Sequence, residues 1–321
     1  MDIVRTPEER FADLPQYPFA PHYVTVEGGV RMHYVDEGPP GGEPVLLLHG
    51  QPTWSYLYRT VIPGLTAQGL RVIAPDLVGF GRSDKPTRRT DYSLRSHTKW
   101  LGDFIEQLAL TGLTMVVQDW GGPIGLGVLA QTQAEAPQRF ARIVAANTVL
   151  HTADASLAGA LEWPCHSTPE GAVVVAQSLL DYQRMTQELP VLQPSLFVQG
   201  ATVDEVDDAV LAAYDAPFPG ETYCAGARQF PLLMGLTPGS AAARQNRRTM
   251  GALASFTGPF LTAFSDGDPS TAGWAEVLRG AMPAARHRPP TVIRGAGHFL
   301  QEDKGPELGE VIADFVRDTP L

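Results

Sequence analysis

Short apolar runs alternate with segments of helical periodicity along the N-terminal half of the chain. The runs cover residues 44–48, 71–75, 115–117 and 142–147, and apolar residues three and four apart cover residues 96–108. Uninterrupted short runs are typical of buried parallel strands, whereas the three-and-four spacing indicates helices that pack on a sheet. Strands that alternate with helices predict a mostly parallel central sheet with helices on both faces, which is an α/β fold.

The alternation stops after residue 150 and resumes near the C-terminus. Residues 151–228 show helical and loop patterns without a clear buried strand, including helical patterns at 173–185 and 203–214. We therefore expect a core of residues 1–150 and 229–321 with an inserted helical cap, residues 151–228. Other expected elements are an antiparallel hairpin at 22–36, strands at 258–264 and 291–294, and a closing helix at 306–316.

One stretch joins a buried strand to a helix through a turn that carries a carboxylate. The apolar run ends at Gln118 and Asp119, and Gly121 and Gly122 precede the helical pattern. This is the form of a nucleophile elbow, in which small neighbours let the central residue adopt a strained conformation above the strand end. A carboxylate there can attack an alkyl carbon without a base, because it is already charged. The alternative is that Asp119 only caps the helix.

Three titratable residues follow predicted strands, namely Asp119, Asp268 and His298. Reactive groups gather beyond the carboxyl ends of strands in open parallel sheets, so we expect these three to meet. His298 lies in a glycine-containing loop and suits a general base, unless it is only hydrogen-bonded within that loop. Asp266 competes with Asp268 to orient it. We favour Asp268 because it lies further beyond the strand end, which leaves Asp266 as a turn or cap residue.

Residues beside the elbow offer hydrogen-bond donors. The backbone N–H groups of Trp120 and Gln51 are the expected donors to the negative charge that develops during the reaction. The Trp120 indole N–H cannot accept a hydrogen bond and therefore suits an anionic leaving group, although a tryptophan that only fills the core is the alternative. His49 is expected to brace the loop at Gly50.

The composition mainly excludes certain classes of binding partner. A hydrophobic content of 44% is typical of a soluble globular protein, and 35 acidic against 24 basic residues argue against nucleic acid and anionic membranes as partners. No segment resembles a signal peptide or a membrane span, so we expect a cytoplasmic protein in which Cys165 and Cys224 are free thiols. The sequence lacks metal-cluster, phosphate-loop and dinucleotide motifs. We therefore expect no cofactor and water as the only co-substrate.

Four motifs in this order resemble the haloalkane dehalogenases of the α/β-hydrolase fold. They are HGQPTWSYLYR at 49–59, DLVGFGRSDKP at 76–86, QDWGG at 118–122 and GHFLQE at 297–302. The likeness spans nearly the whole chain and is greatest for the branch whose triad acid follows the strand after the cap. It implies that Asp119 displaces halide to form an alkyl ester. His298, oriented by Asp268, would then activate the water that hydrolyses this ester.

The sequence departs from the family pattern where the halide should bind. By the resemblance, Trp120 would hold the halide together with a second tryptophan from the cap, but the expected segment, 179–185, contains Tyr182 instead. Trp163 lies too early in the cap to fit that role. Gln51 stands where this branch often has Glu and where another has a halide-binding Asn. We therefore expect a halide site rebuilt from Trp120, Gln51 and Tyr182.

Two other functions remain open on the sequence. Epoxide hydrolases also use an aspartate elbow, and their cap tyrosines protonate the ring oxygen; Tyr182, Tyr214 and Tyr223 are candidates here. The third hypothesis is a protein of the same fold that has lost halide release and serves as a binding protein or pathway-specific catalyst. The complete set of Asp119, Asp268 and His298 argues against it. For the dehalogenase we expect a small apolar halogenated substrate and a monomer or small homo-oligomer.

Overall fold

The computed structural model describes residues 1–154, 165–167 and 174–321. Trp163 lies outside these residues. The strands of the described chain are β1 (Ile3–Val4), β2 (His22–Val26), β3 (Val30–Glu37), β4 (Pro44–Leu48), β5 (Arg71–Pro75), β6 (Lys85–Pro86), β7 (Leu113–Asp119), β8 (Phe140–Thr148), β9 (Cys165–Ser167), β10 (Val174–Ala176), β11 (Phe260–Ser265) and β12 (Thr291–Ile293).

The helices lie between and after these strands. They are α1 (Ile62–Ala67), α2 (Leu94–Gln107), α3 (Gly121–Thr132), α4 (Gln177–Glu188), α5 (Pro194–Gly200), α6 (Asp208–Asp215), α7 (Ala225–Gln229), α8 (Ala241–Leu253), α9 (Trp274–Ala281) and α10 (Leu300–Asp318). Within the described ranges, none of these helices is long and apolar enough to cross a membrane.

The central sheet has the strand order β12-β11-β8-β7-β4-β5-β3-β2. The strands from β12 to β5 pair in parallel, and β3 and β2 are antiparallel at one edge. Helices α2, α3 and α8 pack together as one group, and α1 packs with α10 as another. The expected α/β fold, with a mostly parallel sheet flanked by helices, is thereby confirmed. Strands β4 and β7 lie in the middle, so the loops that follow them share one central edge.

The core strands lie where the apolar runs predict them, and the differences are mostly at helix ends. Helix α2 begins at Leu94 because Ser93 and Ser96 form a reciprocal cap, each side chain bonding the other's backbone N–H. Helix α10 begins at Leu300 rather than at residue 306. The backbone at Lys304 is not helical, so the predicted helix is the part that follows this break.

The prediction for the inserted region was less accurate. Val174–Ala176 forms strand β10, which pairs with β9, where the sequence pattern predicted the start of a helix. Consecutive valines favour an extended backbone, since β-branched side chains lose rotamer freedom in a helix. Helix α6 begins at Asp208 instead of residue 203, with the Asp207 side chain accepting from the Ala209 N–H. Cys224 is a buried free thiol, as expected.

Candidate active site

Asp119 lies at the turn between the central strand β7 and helix α3. Its φ angle of 49° is in the left-handed region, which is unfavourable for a residue with a side chain. The Thr148 hydroxyl, from the neighbouring strand β8, donates to the Asp119 carbonyl at 2.6 Å and helps to hold this conformation. The strain exposes the carboxylate above the sheet edge, as in a nucleophile elbow.

Glycines around the turn make room for this geometry. A Cβ atom at Gly122 would lie 1.9 Å from the Thr148 hydroxyl oxygen, and one at Gly121 would lie 2.5 Å from the Leu48 carbonyl oxygen. At Gly50, in the loop after β4, a Cβ atom would come within 2.0 Å of Asp119 Oδ1. Any larger residue at these positions would displace the helix or the carboxylate. The pattern of small residues therefore has a direct steric cause.

His298 links Asp119 to Asp268. Its Nε2 lies 3.4 Å from Asp119 Oδ2, and its Nδ1 lies 2.8 Å from Asp268 Oδ2. The imidazole is 13% exposed and the Asp119 side chain 19% exposed, whereas the Asp268 side chain is only 1% exposed. The structure thus brings together the three titratable residues singled out in the sequence, with the central imidazole and Asp119 partly exposed.

The two competing acids after β11 occupy different surroundings. Asp268 accepts hydrogen bonds from the Ser270 backbone N–H at 2.8 Å and the Thr271 hydroxyl at 2.6 Å, and also from the Ser270 hydroxyl. Asp266 instead accepts from the Gly295 N–H at 2.8 Å on an exposed loop. Of these two acids only Asp268 contacts the imidazole, and Asp266 stabilises the turn.

Opposing charges set the protonation of this cluster. Burial disfavours a charged imidazole, but the negative charges of Asp268 and Asp119 and the hydrogen bonds to both raise the pKa of His298 to about 10. Burial likewise disfavours a charged Asp268, yet His298, Ser270 and Thr271 together lower the pKa of that carboxyl to about 2. With both carboxylates charged, the imidazole is held protonated. It can act as a base near neutral pH once one of those charges is removed.

Asn147 fastens the loop that carries His298, a role that the sequence reasoning missed. Its amide Nδ2 donates to the Gly297 carbonyl at 2.9 Å and the His298 carbonyl at 3.1 Å, and its Oδ1 accepts from the Ser265 N–H at 2.8 Å. The residue is fully buried with a φ of 36°. A polar residue at the end of a buried apolar strand was the available signal, the same signal that identified Asp119.

Gln51 contacts Asp119 through its backbone. Its N–H donates to Asp119 Oδ1 at 2.7 Å, while its side-chain Nε2 donates to the Ala227 carbonyl at 3.0 Å. The side chain is buried, and its Oε1 has no hydrogen-bond partner among the described residues. One of the two amide hydrogens is therefore engaged by helix α7. His49 braces the same loop, as expected, because its Nδ1 bonds the Gly50 carbonyl and its Nε2 accepts from the Leu77 N–H.

Two aromatic residues expected in the halide site, Trp120 and Tyr182, each pack against a phenylalanine. Trp120, 6% exposed, packs edge-on against Phe230 with ring centroids 5.1 Å apart. Tyr182 packs edge-on against Phe197, and burial together with the charge on Asp119 raises its pKa well above the usual value. Tyr182 therefore lies within electrostatic range of Asp119, and its hydroxyl remains protonated.

The other candidate residues are arranged differently. The Tyr214 hydroxyl donates to Glu302, which also pairs with Arg59, so this hydroxyl is already engaged. Tyr223 is half-buried near the N-terminal end of α7. His151, which no motif marked, packs against Trp274; burial lowers its pKa to about 4 even though the charge of Asp119 acts in the opposite direction. It is a neutral imidazole within electrostatic range of Asp119.

Known proteins resemble the chain over its whole length. A family model for the alpha/beta hydrolase fold matches residues 43–186. A haloalkane dehalogenase of Psychrobacter cryohalolentis is 45% identical, with 100% of both chains covered, and one of Mycobacterium marinum is 45% identical over 98% of this chain and 100% of its own. Among solved structures, the tetrameric haloalkane dehalogenase DpaA from Paraglaciecola agarilytica NO2 has a TM-score of 0.82 at 33% identity, covering 97% of each chain. The similarity therefore includes the inserted region as well as the core.

Proposed function

Because the chain belongs to the haloalkane dehalogenase family of the α/β-hydrolase fold, we propose that it hydrolyses carbon–halogen bonds in small apolar haloalkanes. In this proposal Asp119 is the nucleophile, His298 the general base and Asp268 the residue that orients the base. The observation that carries it is the position of His298, with Nε2 3.4 Å from Asp119 and Nδ1 2.8 Å from Asp268.

In the first half-reaction an oxygen of Asp119 attacks the carbon that bears the halogen. Oδ1 accepts the Gln51 N–H, so Oδ2 is the oxygen available to form the new C–O bond. The C–X bond breaks as this bond forms, and the halide leaves with the electron pair. No proton moves, because a carboxylate needs no base and a halide needs no acid.

Ester formation changes the state of His298. Esterification removes the negative charge of Asp119, which is one of the two charges that raise the pKa of the imidazole. The pKa then falls, and His298 can release its proton and act as a base. The general base is therefore activated by the product of the first half-reaction.

In the second half-reaction the neutral imidazole takes a proton from water as the water oxygen attacks Cγ of Asp119. Negative charge develops on Oδ1, where the Gln51 N–H stabilises it. The bond between Cγ and the alkyl oxygen breaks, and the alcohol leaves with the proton from His298. Asp119 then ionises, so haloalkane and water yield alcohol, halide and one proton.

We propose that the halide binds between Trp120, Gln51 and Tyr182. In this arrangement the Trp120 indole N–H, the second Nε2 hydrogen of Gln51 and the Tyr182 hydroxyl would donate to the halide. The raised pKa of Tyr182 supports this role, since a protonated hydroxyl can donate. The second cap tryptophan of the family is replaced by a smaller donor in this arrangement.

The domain division is also a proposal. We assign residues 151–228 to a cap and the flanking segments 1–150 and 229–321 to the core. Helices α4 to α6 fall within that range and α7 spans its end, where the Ala227 carbonyl accepts from Gln51. This contact would tie the cap to the loop that binds Asp119.

The Paraglaciecola relative is described as tetrameric, and we propose that this chain is a monomer or small homo-oligomer in the cytoplasm. Light scattering coupled to size-exclusion chromatography measures the mass in solution. A large or open-ended assembly would contradict the proposal.

One paired incubation tests the reaction. Purified protein is mixed with 1-bromobutane or 1,2-dibromoethane while bromide is measured, and in parallel with styrene oxide while diol is measured. Bromide without diol is the expected result. Diol without bromide would favour an epoxide hydrolase that uses Tyr182, and neither product would indicate a binding protein. Asp119→Asn serves as the control, because it retains the shape of the site without the nucleophilic charge.

A further inference from the structure

Gln118, the residue before the nucleophile, has its amide beside the general base. Its Nε2 lies 3.3 Å from His298 Nε2 and 3.3 Å from the His298 carbonyl oxygen. The side chain is fully buried at the end of β7, and its Oε1 has no hydrogen-bond partner among the described residues. A buried amide with one unpaired oxygen is costly, so its placement against the imidazole calls for an explanation.

The His298 carbonyl fixes the orientation of this amide. A carbonyl oxygen can only accept, so the NH₂ group of Gln118, and not its oxygen, must face His298. The same NH₂ group therefore faces the imidazole nitrogen that acts as the base. An N–H donor is attracted to a lone pair on that nitrogen and therefore disfavours protonation of the nitrogen.

The charged neighbours of His298 act in the other direction. Asp268 and Asp119 both favour the imidazolium. The uncharged hydroxyl of Ser270 also lies 3.0 Å from Nδ1. While Asp119 is charged, these groups outweigh one amide dipole. After esterification Asp268 alone remains as a charge, and the contribution of Gln118 becomes comparatively large.

We infer that Gln118 is a positioning residue that biases His298 toward the neutral tautomer with its proton on Nδ1, so that ester hydrolysis proceeds near neutral pH. This inference rests on the proposed function. At 3.3 Å the contact is longer than an ideal hydrogen bond, so it biases the protonation state without occupying the lone pair that water needs.

Rapid-mixing kinetics with 1-bromobutane separate the two half-reactions. In Gln118→Met, which has a similar volume but no donor, bromide release in the first turnover should match the wild type. Alcohol release at pH 7 should be slower by about 3- to 10-fold, and its pH midpoint should move up by about half a unit to one unit. Gln118→Glu should move the midpoint further, because a carboxylate stabilises the imidazolium. Equal slowing of both phases, or an unmoved midpoint, would overturn the inference.

Gln301→Met provides the matched control. Gln301 is also fully buried and lies close in sequence to His298, so the substitution removes a buried amide in the same region. Any general loss of packing should affect both variants, and only Gln118→Met should move the pH midpoint. A shift of equal size in Gln301→Met would mean that the effect is structural.

A second measurement does not require turnover of a haloalkane. Asp119→Asn removes the nucleophile's charge as the ester does, and nuclear magnetic resonance can titrate the His298 imidazole in this background. Adding Gln118→Met should raise the midpoint of the His298 titration, whereas adding Gln301→Met should not. An unchanged midpoint rejects the role of Gln118 even where the proposed reaction fails. Absence of bromide release by the wild type would count against the proposed reaction alone.

Discussion

Two buried histidine–aspartate pairs share the same contact but differ in what surrounds them. His33 Nδ1 lies 2.7 Å from Asp76 Oδ2, and His298 Nδ1 lies 2.8 Å from Asp268 Oδ2. The far nitrogen of His33 is buried without a hydrogen-bond partner among the described residues, whereas that of His298 faces Asp119. A His–Asp contact is therefore not sufficient for catalysis. In the proposed site the second imidazole nitrogen also faces a partly exposed carboxylate, that of Asp119.

Asp76 shows the structural use of such a pair. It accepts from the Ser55 N–H at 2.8 Å and the Arg82 N–H at 2.7 Å, so it joins the loops that follow β4 and β5. Burial opposes its charge, but His33, His49 and the Ser55 N–H hold its pKa well below the usual range. A Cβ atom at Gly81 would lie 2.1 Å from its Oδ2, which shows how closely the loop wraps this carboxylate. Substitutions can therefore distinguish a structural histidine–aspartate pair from one that takes part in catalysis.

The largest expected effect is that of His298→Phe on turnover. Without a base the ester cannot be hydrolysed, so alcohol release should fall by at least about 10³-fold. The first half-reaction needs no base, so each active site should still release one bromide from 1-bromobutane. Mass spectrometry of the intact protein should then detect a retained butyl group. Alcohol formed at the wild-type rate would contradict the proposed roles.

Asp268→Asn should have the next largest effect. The amide can donate to Nδ1 and so stabilise the wrong tautomer, and it cannot stabilise the imidazolium, so turnover should fall by about 10²- to 10⁴-fold. Asp266→Asn removes the same charge two residues earlier and should leave turnover within about twofold, because surface charges on turns have little influence on a buried site. Steady-state rates of both variants test the assignment. A larger loss in Asp266→Asn would reverse it.

His33→Leu should affect stability and not chemistry. It leaves the buried Asp76 carboxylate without its imidazole partner, and breaking a buried pair in this way costs about 3–5 kcal/mol. Urea unfolding should record this loss, while turnover per folded molecule should change by less than about twofold if the pair is structural. A loss of turnover without a loss of stability would assign His33 to the active site.

Local patterns predicted most of the core. Short apolar runs gave the strands because buried parallel strands need uninterrupted apolar residues, and glycines around Asp119 gave the elbow because no larger residue fits beside Thr148. The inserted region was predicted less well, since the valines before α4 pair as a strand with a segment that periodicity does not identify. Local sequence patterns do not reveal which separate segments of the chain pair with each other.

The sequence predicts candidate site residues only where the residue type itself suggests a chemical role, as a titratable side chain does. Asp119, Asp268 and His298 follow strands and can titrate, and the elbow and glycine motifs around Asp119 and His298 separate these two from other titratable residues after strands. Asn147 and Gln118 act only through what they contact, and His151 matters only because the fold brings it near Asp119. The sequence likewise could not distinguish His33 from His298 by their partners, because both contacts join residues far apart in the chain.

The smallest expected effect is a difference in how stability depends on pH. The pKa of His298 is raised from 6.5 to about 10, so its bound proton stabilises the folded state fully below pH 6.5, and this contribution is lost as the pH rises toward about 10. The pKa of Asp268 is lowered from 3.8 to about 2, so its contribution is present above pH 3.8 and lost as the pH falls toward about 2. Thermal unfolding of wild type and Asp268→Asn should therefore differ most between about pH 4 and 6.5 and converge on both sides. A difference that grows steadily above pH 7 would mean that the imidazole is not held protonated by its two carboxylates, and the proposed activation of His298 by ester formation would lose its basis.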